Sequence, residues 1–157
     1  MSDTALQLEA LALYAEYARS IDDLRLDDWM ALFAKECAYH VLPRENVQRG
    51  LSLPIIRCRT RDMLADRIVS LQQANIYNIH NDRHIITNVV ARAEGNDGAQ
   101  AEADFAIYQT DQEGETRLFS VGRYRTRLVR EAGRLRIAEQ TAIIDTASVP
   151  TLMSTPI

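Results

Sequence analysis

Along the first half of the chain apolar side chains recur at helical spacing, and along the second half they alternate, with the change falling near Asn75 to His84. Leu6, Leu13, Tyr14, Tyr17 and Ile21 form one stripe of a predicted helix that ends near Ser20. Thr4 and Gln7 fit a capping box at its start, where each side chain satisfies an orphan backbone donor. A second, short helix is predicted from Asp27, with Trp29, Leu32 and Phe33 on one side. Cys37 to Leu42 reads as a short strand that stops at Pro43, because proline has no N–H to give a ladder. Pro43 to Pro54 reads as a long irregular loop, and loops of that length are usually functional. Thr60 is placed to cap a third helix whose apolar stripe is Met63, Leu64, Ile68 and Leu71.

The remainder is strand. His84 to Ala93, Ala101 to Gln109, Thr116 to Val129 and Leu135 to Ala147 are separated by turn signals at Gly95 to Gly98, Asp111 to Gly114 and Ala132-Gly133. Such short connections make the strands antiparallel neighbours. In the last strand Leu135, Ile137, Thr141 and Ile143 are expected on one face and Arg134, Arg136 and Gln140 on the other. Gly122, inside the longest strand, predicts a bulge or bend that curls the sheet. Helices first and strands afterwards mean α+β. Three N-terminal helices on a strongly bent, mainly antiparallel sheet give the cone of nuclear-transport-factor-2-like (cystatin-like) proteins, as one domain spanning residues 1–157.

Charge narrows the partners. The net charge of -4 argues against a nucleic-acid binder, which needs a concentrated cationic face. Of the 18 cationic side chains only Lys35 is a lysine; the rest are arginines, whose planar fork suits subunit interfaces, although codon bias gives the same excess. Cys37 and Cys58 sit singly in apolar stretches and read as buried thiols of a reducing compartment. The start, MSDTALQLEAL, lacks the basic region of a secretory signal, and no apolar run is long enough for a membrane span, so a cytoplasmic protein is expected.

Two constellations carry candidate chemistry. His80, Asp82 and His84 form HxDxH, the ligand types of a two-histidine, one-carboxylate iron site, but no further cluster completes a coordination shell. The structural alternative has His84 opening a strand as a hydrogen-bonded residue, with His80 in the loop before it. Tyr14, Tyr17, Tyr39, His40 and Asp104 are a possible acid/base set for a stand-alone isomerase or cyclase using the cone pocket, or the lining of a small-ligand-binding module. Against this, the tyrosines suit the core of an amphipathic helix, and Asp104 shares strand parity with Glu102 and Gln100, a solvated or interfacial face. No phosphate-binding loop, nucleophile elbow or Rieske pattern of paired Cys and His occurs.

An ordered run of motifs resembles one family over nearly the whole chain. DDWMALF, then ECAYHV, then Pro43-Arg44-Glu45-Asn46 with Arg49-Gly50-Leu51, are similar to the small (β) subunits of aromatic-ring-hydroxylating dioxygenases. DMLADRIVSL, Ile76-Tyr77, RHIITNV, ADFAIY, the Gly122-Arg123-Tyr124 triplet and RLRIAEQTAIID continue it in the family's order, with ADF where SNF is common. The loop resembles that of members acting on benzoate-, anthranilate-, salicylate- or terephthalate-like acids. The resemblance implies a non-catalytic subunit of a complex with three large and three small subunits, itself trimeric, in aromatic acid catabolism. It places no cofactor in this chain. A Rieske [2Fe-2S] cluster and a mononuclear Fe(II) belong in the large subunit, and electrons come from NAD(P)H through a reductase. Arg44, Glu45, Asn46 and Arg49 on the loop, and Arg123, Arg125 and Arg127 along one strand face, are then the candidate subunit-interface residues, with a solvated surface as the alternative.

Overall fold

A computed structural model describes residues 3–73, 79–95, 97–145 and 153–157. The chain runs α1 (Asp3–Asp22), α2 (Leu26–Ala31), β1 (Phe33–Pro43), α3 (Arg44–Gln48), β2 (Ile56–Cys58), α4 (Arg61–Gln73), β3 (His80–Glu94), β4 (Gly98–Asp111), β5 (Thr116–Glu131) and β6 (Arg134–Ile144). Asn75, the Ile76-Tyr77 pair, Asn96 and Ala147 lie outside the described residues.

The strands form one sheet in the order β2-β1-β6-β5-β4-β3. Its pairs are antiparallel except for β1 with β6, which lie parallel. The α+β, mainly antiparallel cone is thus the observed fold. The predicted α1 stripe is the observed one, since Leu6, Leu13, Tyr14, Tyr17 and Ile21 are all buried. In α4, Leu64, Ile68 and Leu71 are buried, and Thr60 Oγ1 accepts the Met63 N–H at 3.3 Å as a helix cap does. Met63 itself is 44% exposed and leaves the predicted stripe.

Several expectations are corrected, each for a tertiary reason. Gln7 does not close a capping box: its Nε2 donates to the Val89 carbonyl at 2.7 Å and its Oε1 accepts the Ala91 N–H at 2.9 Å. β3 is an edge strand with unpaired backbone groups, and the Gln7 amide satisfies two of them. Phe33 opens β1 rather than continuing α2, and β1 is longer than Cys37 to Leu42 because β6 gives it a parallel partner. The Pro43 to Pro54 loop contains the single turn of α3, and β2 follows it at the sheet edge. His80 lies inside β3, not in a loop before it.

The alternation along β6 reverses midway. Arg127 faces Glu139 while Leu128 faces Ile137, which leaves Ala138 as an extra residue in the ladder. One inserted residue exchanges the faces. Leu135 and Ile137 point inward, and beyond Ala138 it is Gln140, Ala142 and Ile144 that do, with Thr141 and Ile143 outside. On β5 the extra residue is Phe119, since Ile107 faces Ser120 and Tyr108 faces Leu118. Gly122 is not the bulge. It is buried where β6 and Phe105 close in, so that an added Cβ would run into the Ile143 carbonyl oxygen and come within 2.9 Å of the Phe105 ring.

Candidate functional site

The outer face of the sheet gathers three of the seven predicted interface residues, Arg123, Arg125 and Arg127. Antiparallel register sets Asp104 opposite Arg123, Glu102 opposite Arg125 and Gln100 opposite Arg127, with Glu139 of β6 beyond Arg127. The ion pairs follow that register: Arg123 Nε to Asp104 at 2.8 Å, Arg125 Nε to Glu102 at 3.4 Å and Arg127 Nε to Glu139 at 3.9 Å. Each of the three arginines remains about half exposed. Arg123 and the Asn88 amide, which donates to Asp104 at 2.8 Å, hold the Asp104 carboxyl below its ordinary range. Asn88 takes the left-handed backbone at the β3 bulge, φ 53°.

The loop residues cluster around α3. Arg44 pairs with Asp145 at 2.6 Å, Arg49 pairs with Glu45 at 3.0 Å, and Asn46 Nδ2 donates to the Leu53 carbonyl at 2.8 Å. α3 packs near β6, and Val47 together with Ile143 borders an open groove of about 720 Å³ that Arg92, Glu102, Arg125 and Glu139 also line. Sequence patterning missed the apolar half of this surface. Ile85, Val90, Tyr108 and Leu118 are exposed on the outer sheet face, and Leu51, Leu53 and Ile55 are exposed on the loop. A mixture of exposed apolar groups and arginines is the composition of protein interfaces.

The inner face holds an aromatic core instead of an acid/base set. Tyr14, Tyr17, Trp29, Phe33, Tyr39, Phe105 and Tyr124 pack ring on ring, with Phe105 and Tyr124 stacked at 4.3 Å and Trp29 edge-on to Phe33 at 4.8 Å. Tyr14 donates to Thr126 at 2.6 Å, and Thr126 donates on to Gln140 at 2.5 Å. Tyr17 and Tyr39 both donate to the main-chain oxygen of Ile157, at 2.8 and 3.0 Å. Burial raises the Tyr14, Tyr17 and Tyr124 phenols and pushes Tyr39 up to about 12. All four therefore stay protonated near neutral pH and are poor general bases. His40 and Asp104, the other members of the predicted set, are on the opposite face of the sheet. His40 lies beside Leu42, Pro54 and Arg57, and burial lowers its imidazole.

The donors of HxDxH serve different partners. His84 Nδ1 is 2.6 Å from Asp22, whose carboxylate also accepts the His84 N–H at 3.1 Å. His80 Nε2 lies 3.1 Å from the Gln109 amide and 3.3 Å from Asp82, and Asp82 accepts the Thr155 hydroxyl at 2.6 Å. Among the described residues no group of three or more His, Cys, Asp or Glu is arranged to hold a metal ion. Cys37 and Cys58 are buried free thiols, raised by burial. Among the described residues no helix is long and apolar enough to cross a membrane.

Residues 3–141 match the SnoaL-like domain family. The small subunit of anthranilate 1,2-dioxygenase from Burkholderia cepacia is 34% identical over 99% of this chain and 96% of that protein. The β1 subunit of the terminal oxygenase component of terephthalate 1,2-dioxygenase from a Comamonas species is 33% identical over 96% and 98%. Among solved structures, a Novosphingobium aromaticivorans chain assigned as the β subunit of an aromatic-ring-hydroxylating dioxygenase superposes with a TM-score of 0.89 at 38% identity, covering 98% of both chains.

Proposed function

The chain belongs to the SnoaL-like small subunits of aromatic-ring-hydroxylating dioxygenases, and from that membership we propose that it is a non-catalytic scaffold for the iron-bearing large subunit of an aromatic-acid oxygenase. The observation that carries this reading is the contrast between the two faces of the sheet. The interior is filled by aromatic rings, with the Tyr14, Tyr17 and Tyr39 hydroxyls tied to Thr126 and Ile157, while the outer face presents paired arginines among exposed apolar side chains. A surface of that kind is built for burial against protein.

In the proposed assembly three copies of this single domain, residues 1–157, form a trimer beneath three large subunits in the cytoplasm. The Rieske [2Fe-2S] cluster and mononuclear Fe(II) sit in the large subunits, and NAD(P)H supplies electrons through a reductase. Arg44, Glu45, Asn46, Arg49, Arg123, Arg125 and Arg127 lie at contacts between subunits. The relatives that act on anthranilate and terephthalate support an aromatic acid as the substrate of the complex.

Co-expression with a neighbouring reading frame that carries CxH and CxxH Rieske motifs tests the reading. The two chains co-purify in equal numbers, and this chain alone has no oxygenase activity. Conversion of a small carbonyl compound by this chain alone would replace the scaffold with the isomerase alternative.

A further inference from the structure

The cone interior is occupied by the chain itself. Met153 to Ile157 belong to no strand or helix, yet all five residues are buried, with Ile157 only 1% exposed in the apolar cluster. Side chains from four separate elements hold them. From α4, Arg67 Nη2 donates to the Met153 carbonyl at 2.8 Å. From β3, Asp82 accepts the Thr155 hydroxyl at 2.6 Å, and the Asp82 side chain is 4% exposed. From α1, Tyr17 donates to the Ile157 oxygen at 2.8 Å. From β1, Tyr39 donates to the same oxygen and accepts the Ile157 N–H, each at 3.0 Å.

Backbone segments buried in a fold ordinarily satisfy their polar groups in helix or sheet ladders. This one is instead read by side chains, at alternate residues, as a bound peptide is. The Tyr39 hydroxyl recognises a donor and an acceptor of one residue, the Tyr17 hydroxyl reinforces the acceptor, and an apolar pocket takes the branched side chain beside them.

We propose that the interior between α1, α4, β1 and β3 is a peptide-recognition site, occupied in cis by Met153–Ile157, whose ligand class is a short peptide carrying a branched aliphatic residue whose own main-chain N–H and oxygen are both read. The site is separate from the outer-face interface, so the proposal stands apart from the scaffold reading. It gives the pocket of this cone a resident ligand, supplied by the chain.

The test is complementation. A chain stopped at Leu152 melts at a lower temperature than the full chain, and the pentapeptide MSTPI restores the loss saturably, while the scrambled peptide ITMPS does not. Tyr17→Phe with Tyr39→Phe in the shortened chain removes the hydroxyls that read the Ile157 main-chain oxygen and weakens MSTPI binding about tenfold or more. Unchanged melting of the shortened chain, or an equal response to the scrambled peptide, overturns the proposal. If the shortened chain does not fold, the site is probed in the full chain with Ile157→Gly, which keeps the main-chain anchors and empties the side-chain pocket. Added benzene then raises its melting temperature but not that of the unaltered chain, as an apolar cavity requires. No benzene effect on Ile157→Gly overturns it equally.

Discussion

Asp22, in the last turn of α1, holds His84 of β3 at two points: its carboxylate is 2.6 Å from Nδ1 and accepts the His84 main-chain N–H at 3.1 Å. The two side chains are 3% and 0% exposed, so neither has water to replace the other. Removing the carboxylate leaves the buried His84 N–H and Nδ1 without a partner, which costs about 1–3 kcal/mol. Asp22→Ala is therefore expected to lower unfolding stability by about 1–3 kcal/mol in urea. A change no larger than that of a typical exposed ion pair would show that the contact does not fasten α1 to the sheet.

The HxDxH motif is predicted to be structural. His80 Nε2 meets the Gln109 amide and His84 Nδ1 meets Asp22, while Asp82 accepts from Thr155, so the three donors do not converge. The purified chain should carry no stoichiometric iron or zinc, and His80→Ala should leave the metal content of any complex unchanged. Elemental analysis giving one metal per chain, lost in His80→Ala, would refute this.

Alkaline stability follows from the core tyrosines. Burial raises Tyr14, Tyr17 and Tyr124 and sets Tyr39 at about 12, from an ordinary value of 10.0. A folded-state value above the unfolded one stabilises the fold fully below pH 10, and that contribution is lost as pH rises from 10 through about 12. Phenolate absorbance from these four residues should therefore appear together with loss of circular dichroism in that window. Their ionisation with the fold intact would contradict the buried core.

Gly122 is predicted to be intolerant of any side chain. Its missing Cβ is what lets the Ile143 carbonyl and the Phe105 ring approach, and backbone cannot move aside as a flexible side chain does. Gly122→Ala should cost about 2–4 kcal/mol, read as a fall in melting temperature, whereas Gly114→Ala meets open space and should lose only about 1 kcal/mol, for a side chain held at φ 86°. Equal losses at the two positions would show that close approach is not the reason for glycine at 122.

Features written in neighbouring residues were legible in the sequence. The α1 stripe, the Thr60 cap and the shared parity of Glu102 with Asp104 and of Arg123 with Arg125 and Arg127 need only local periodicity. What escaped depends on distant partners. Gln7 reads as a cap until α1 is laid along the open edge of β3, and the reversal of β6 after Ala138 exists only in its register against β5. The acid partners of the outer arginines are likewise set by register, Asp104 lying 19 residues before Arg123. MSTPI shows no periodicity, so nothing local marks Ile157 as core.

Whether the outer face of the scaffold joins subunits is read from turnover per intact complex in Arg125→Ala and Arg127→Ala variants. These arginines pair within the chain at exposed sites, so each variant should fold with a loss below about 1 kcal/mol. In the complex, the stranded Glu102 or Glu139 is desolvated without its partner, which should weaken association about tenfold. Sedimentation of the co-expressed chains, with product assayed on the same fractions, separates assembly from catalysis. Total ring hydroxylation is expected to fall in proportion to the complex formed while turnover per complex stays constant. Full assembly with reduced turnover per complex would contradict that expectation.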